Sequence, residues 1–209
     1  MRCTATAWLI FLLASLFGEV GGFADDWPQW LGPQRDGIWR EEGVAERFPP
    51  GGPALRWKAA IGGGYSGPAV VGGRVFVMDR VPGAADPAKA KILHKGKPPR
   101  NENFLRKLLP GKERLVCLNE VDGKKIWSHE WDCPYTTVAM YATGPRATPT
   151  VDGDRVYALG AEGNLFCLSV KDGSVKWERD FKKDYGLKIP EWGTAAHPLV
   201  DGKRLICVV

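Results

Sequence analysis

Few residues of this chain stand in spacings that could do chemistry. Its three histidines, His94, His129 and His197, lie in unrelated contexts and form neither a triad order nor the close pair of a zinc site. The Asp152-Gly-Asp154 pair has the opening of a calcium loop, but Val156 stands at the third ligand place and Gly163 at the twelfth, where a bidentate Glu belongs. A tight turn explains the pair better. Of the five cysteines, none falls in a Cys-x-x-Cys pair. Cys117 and Cys167 hold matching places in two similar stretches of sequence, each flanked by apolar residues, as small buried residues do. No catalytic residue and no metal ligand is assigned from these patterns.

The elements that would position a site are more legible. A phrase Pro-x-Val-x-Gly-x-Arg followed by an apolar pair occurs three times, as PAVVGGRVF from Pro68, PTVDGDRVY from Pro149 and PLVDGKRLI from Pro198. A second phrase follows the first two copies: RLVCLNEVDGKKIW, ending at Trp127, and NLFCLSVKDGSVKW, ending at Trp177. A period near 50 residues signals a propeller or an array of repeats. Within the second copy, short alternating runs predict strands at about 147–151, 155–160, 164–169 and 174–179. Asp152-Gly153, Glu162-Gly163 and Asp172-Gly173 are read as two-residue hairpin turns, with Gly supplying the positive φ. A four-stranded sheet with two apolar faces is covered by stacking such sheets around an axis, so the fold class is all-β, a β-propeller with four-stranded antiparallel blades.

This reading divides the chain as follows. Residues 54–61, with Trp57, form a lone outer strand that closes the last blade; blades cover 67–130 and 147–179; residues 195–209 begin an incomplete third. Trp57, Trp127 and Trp177 are wedges between blades, and Gly123, Gly153, Gly173 and Gly202 are the turn residues of the repeat. The remaining blades are expected in a C-terminal part beyond Val209, which makes the chain a piece of a longer product. Loops entering each innermost strand open onto the central funnel and form the natural ligand face. Its candidates are Tyr65 and Ser66, Tyr141 and Arg146, and Trp192 and His197.

Arg2, the apolar stretch from Ala7 to Phe17 and the small residues before Asp25 read as a signal peptide over 1–24, too short for a membrane anchor. The mature chain, 25–209, is therefore expected in the periplasm or outside the cell, with no transmembrane anchor after cleavage, and nucleic acid is a poor partner there. The composition, 44% hydrophobic and 25% charged, is that of a soluble globular protein. Positive charge gathers in an insertion at 81–113 between the second and third strands of the first blade. A solvated loop and a contact with an acidic glycan, a phosphate-bearing surface or a membrane face are both compatible with it.

The phrases RLVCLNEVDGKKIW and NLFCLSVKDGSVKW resemble the repeat of the pyrroloquinoline-quinone (PQQ) type propellers, which include quinoprotein alcohol dehydrogenases and BamB, the outer-membrane assembly lipoprotein. DWPQWLGPQRDGIWREEG at 26–43 and GPRATPTVDGDRVYALGAEGNLFCL at 144–168 are similar to exported PQQ-binding-like repeat proteins of planctomycete-type bacteria. The resemblance implies two functional branches. In the dehydrogenase branch, PQQ sits over a calcium ion, with an Asp base, a stacking Trp and often a disulfide between adjacent cysteines. In the scaffold branch, propeller-face loops bind partner proteins without a cofactor. No two cysteines are adjacent here, and the lipidated Cys of BamB is absent. The reading ranks a binding or scaffold module for proteins or small ligands first, with a PQQ- and calcium-dependent alcohol or sugar dehydrogenase as the alternative.

Overall fold

The computed structural model describes residues 25–43, 45–84, 86–94, 96–101, 104–136 and 143–209. The signal-peptide reading of 1–24 and the candidate Tyr141 lie outside these residues. Among the described residues ten strands form three antiparallel sheets. The first holds β1 (Ala69–Val71), β2 (Arg74–Pro82), β3 (Gly111–Asn119) and β4 (Lys125–Asp132) in chain order. The second repeats this with β5 (Thr150–Asp152), β6 (Arg155–Leu159), β7 (Asn164–Ser169) and β8 (Val175–Asp180). The third pairs β9 (Leu199–Asp201) with β10 (Arg204–Ile206). A five-residue helix α1 (Phe181–Tyr185), capped by the Asp180 side chain and ended by Gly186 at φ 70°, follows β8.

The sheets are blades of a propeller. Strands β1 and β5 are in contact, as are β5 and β9, so the first strand of each sheet lines one inner side. The two full sheets agree in detail. Cys117 pairs with Trp127 and Cys167 with Trp177, and each pair is followed by the same register shift, before Leu118 and Leu168. Alternation drives the packing. One face of the first blade, with Phe76, Met78, Leu115, Cys117 and Trp127, packs on Val151, Val156, Ala158, Phe166 and Leu168 of the second. The opposite face, with Val77, Val116 and Leu118, is covered by Trp57 and Ala59. Residues 54–61 carry no ladder of strand hydrogen bonds.

Only one of the three expected two-residue turns has that form. Asp152 pairs with Arg155, so the loop is Gly153-Asp154, with the positive φ at its first residue. The Asp172-Gly173 turn is longer: Ser169 pairs with Ser174 and Gly173 donates back to the Ser169 carbonyl. The Glu162-Gly163 turn is also longer, running between Gly160 and Asn164. The Trp127 ring lies against Gly173 of the β7–β8 turn, 2.5 Å from where a Cβ there would stand.

The segment 25–35 runs along the inner strands as a strap. Trp27 exchanges both backbone hydrogen bonds with Val70, Val151 donates to the Pro28 carbonyl at 2.8 Å, and the Arg35 guanidinium donates to the Val200 carbonyl. Val70, Val151 and Val200 hold the same place in the three repeats. An innermost strand leaves one row of backbone groups unpaired, and the strap answers it strand by strand.

Candidate functional site

An up-and-down sheet sends its connections to two opposite ends. The turns β1–β2, β3–β4, β5–β6, β7–β8 and β9–β10 lie at one end. The segment entering β1 and the connections β2–β3, β4–β5, β6–β7 and β8–β9 lie at the other, here termed the loop end. The β2–β3 connection, expected at 81–113, spans 83–110, because both flanking strands extend further than the sequence pattern suggested. Within it, Leu93 and Leu108 donate to the carbonyls of Arg106 and Lys91, and His94 Nε2 accepts from the Arg106 N–H at 2.8 Å. The insertion thus contains a small hairpin that joins 91–93 to 106–108.

The glycine run at 62–64 presses against the single glycine Gly144 at the loop end. Tyr65 N–H donates to the Pro145 carbonyl at 2.8 Å, and Tyr135 Oη donates to the Gly144 carbonyl at 3.2 Å. A Cβ on Gly144 would sit 2.4 Å from the Gly63 carbonyl oxygen, and its φ of 142° is one that glycine tolerates best. This backbone-to-backbone approach sets Tyr65 beside Arg146. The Arg146 guanidinium carbon lies 4.7 Å from the Tyr65 ring centre and 5.6 Å from that of Trp192. Phe104, from the insertion, meets the Trp192 ring edge-on at 6.3 Å. Tyr65 is 50% exposed, Phe104 39% and Trp192 37%, so the cluster faces outward. Arg146 Nε and Nη2 are nevertheless buried and have no hydrogen-bond partner among the described residues.

Of the sequence-derived candidates, the structure brings together Tyr65, Arg146 and Trp192. Ser66 donates to the neighbouring Gly67 carbonyl at 3.2 Å. His197 is occupied elsewhere: its Nδ1 accepts from Thr148 N–H at 2.7 Å and its ring stacks on Trp30 at 4.5 Å. Burial holds the His197 imidazole below its usual pKa, which favours the neutral form that this acceptor role requires. Phe104 was missed because nothing in the sequence ties the insertion to residue 192. The strap was missed too, although Trp27 and Trp30, close together near the N-terminal end of the described residues, were a signal for it.

Buried acids flank the same end. Glu113 is fully buried and accepts from Ala161 N–H through both oxygens at 3.1 Å, and desolvation pushes its pKa up to about 7. Cys133 lies beside it, its thiol pushed far upward by burial and by the carboxylates of Glu113 and Glu162. Glu162, 1% exposed, accepts from Thr136 N–H and Oγ1 and pairs with Lys182 at 3.3 Å. These acids tie the β6–β7 connection and residue 136 into the blade ends.

Residues 41–209 match the family described as outer membrane protein assembly factor BamB. The chain belongs to that family. It is thereby a member of the PQQ-like β-propeller superfamily, and the four-stranded antiparallel sheets are consistent with that. A BamB-named relative from Nitrosomonas eutropha, an outer membrane protein assembly factor, is 27% identical over 177 residues. That alignment covers 82% of this chain and 39% of the relative, so the chain spans well under half of that protein's length. Among the described residues no three His, Cys, Asp or Glu side chains gather as a metal site. Cys117, Cys133, Cys167 and Cys207 are free thiols, so no disulfide joins them. Among the described residues no helix is long and apolar enough to cross a membrane.

Proposed function

We propose that this BamB-family chain is an exported protein-binding scaffold whose contact surface is the loop end of the propeller. The observation that carries this reading is the meeting of Tyr65, Phe104, Arg146 and Trp192, four residues from four separate connections, in one outward-facing cluster. Tyr, Trp and Arg are the types that dominate binding energy at protein interfaces, and half-exposed rings bury much area at low entropic cost. The relative's name, an assembly factor, favours a protein partner over a small substrate. Export is supported by the N-terminal sequence pattern.

Site-specific photo-crosslinking in cells that make the chain natively tests this. A crosslinking residue at position 65 or 192 is expected to trap a defined protein, competed by excess unlabelled chain, and one at Val121 or Asp172 on the turn end is not. Equal trapping at both ends, or none at either, overturns the proposal.

A further inference from the structure

We propose that Arg146 is the receptor for a side-chain carboxylate of an acidic polypeptide partner. The inference deepens the scaffold reading and rests on it. Nε and Nη2 are the two guanidinium nitrogens whose N–H bonds run parallel along one edge, the edge a carboxylate meets with both oxygens at once. Both are buried and unpaired among the described residues. A buried charged donor without a partner is costly, and two buried acids of this end are held by other groups. Glu113 receives Ala161, and Glu162 receives Thr136 and Lys182. The rings beside the guanidinium are half-exposed side chains, so the edge opens by rotation about side-chain bonds, with the backbone clamp at Gly144 left in place.

Two further observations select a polypeptide acid over a free anion. Rings of Tyr65, Trp192 and Phe104 border the guanidinium and give apolar contact area that an inorganic anion cannot use. The insertion at 83–110 holds seven Lys and Arg against two Asp and Glu, a surplus that equals the whole chain's formal charge of +5. Its Phe104 touches Trp192 and its Arg106 Nε donates to the Thr136 carbonyl at 2.9 Å, so this charge is anchored at the same end. A basic rim around an arginine with a free fork attracts an acidic segment and then fixes one carboxylate in register.

The test titrates the full chain with an N-acetylated, C-amidated decapeptide of glutamate, with the glutamine decapeptide as control, by calorimetry and tryptophan fluorescence. Saturable binding of the glutamate peptide is expected, with the glutamine peptide at least ~10-fold weaker. Arg146→Gln is expected to lose ~10-fold or more in affinity, while Lys97→Gln, which removes the same charge from the rim, loses about 2-fold. Arg146→Lys keeps the charge without the fork and is expected to lose several-fold, which keeps the test sharp should the Gln variant fold poorly. Equal losses in Arg146→Gln and Lys97→Gln, equal binding of inorganic phosphate and peptide, or no binding of the glutamate peptide overturns the inference. If positions 65 and 192 still trap a protein while the glutamate peptide is ignored, the carboxylate inference fails and the scaffold reading survives. If they trap nothing, the scaffold reading fails.

Discussion

The two ends of the blades obey different rules. At the turn end, Trp57 and Trp127, 70 residues apart in sequence, make the same contact twice. Trp57 Nε1 donates to the Glu120 carbonyl at 2.7 Å and its ring lies where a Cβ on Gly123 would be. Trp127 Nε1 donates to the Val170 carbonyl at 3.1 Å and its ring lies where a Cβ on Gly173 would be. At the loop end, Tyr65 and Arg146 also occupy equivalent places, three residues before the Pro of the repeat, yet they differ in kind and complement each other. Geometry that recurs with the same residues is packing, because every blade boundary has the same problem to solve. Geometry that recurs with different residues is where a site can be grafted.

Four perturbations sharpen or break this contrast. The largest effect is expected from Trp127→Ala, which removes a buried indole from the boundary between the blades and should cost about 3–5 kcal/mol, read by denaturant unfolding. A loss comparable to that of a surface substitution would show that the Trp seam does not hold the blades together.

Next is pH. Glu113 titrates near 7 in the folded chain against 4.5 when exposed, so the fold holds the proton across that window. The stability this contributes is complete below pH 4.5 and is lost as the pH rises through 7, by about 3 kcal/mol at most. Thermal melts at pH 5, 6, 7 and 8 should show the decline, and Glu113→Gln, which keeps an acceptor for Ala161 N–H, should flatten it. An unchanged slope in that variant would remove Glu113 as its source.

Gly173→Ala is expected to cost about 1–2 kcal/mol from its φ of 73° alone, with more from the Trp127 ring 2.5 Å from the added Cβ. Gly202→Ala, at φ 57° with open space around it, should show the backbone part without the ring. The smallest effect on stability belongs to the exposed aromatic cluster around Arg146. Arg146→Gln should change unfolding free energy by no more than about 1 kcal/mol, because it removes donors that have no partner among the described residues. A large destabilisation would make Arg146 part of the packing and erase the difference between the two ends.

Much of the seam was legible in sequence because it is local and periodic. The Cys–Trp strand pairs and the Gly turns recur at a spacing set by blade size, so composition and period carry them. The turn geometry was less legible. Asp-Gly pairs mark a reversal without saying how many residues it spans, and only Gly153-Asp154 made a two-residue loop. Tyr65 and Arg146 could be nominated from their place before an innermost strand. Phe104 could not, since its contact with Trp192 joins two loops whose paths no local pattern specifies. His197 looked like a site residue and is held by Thr148 and Trp30, partners 49 and 167 residues away.

By itself the sequence determined the repeat, the strand order within each blade and the residues at each blade boundary, because hydrophobic alternation and glycine backbone freedom act over a few residues. Tertiary structure alone decided that Arg146 meets two rings from other blades, that the insertion's charge stands at the same end, and that residues 25–35 bind the inner strands. Those contacts depend on the angle and distance between blades, which follow from how whole faces pack.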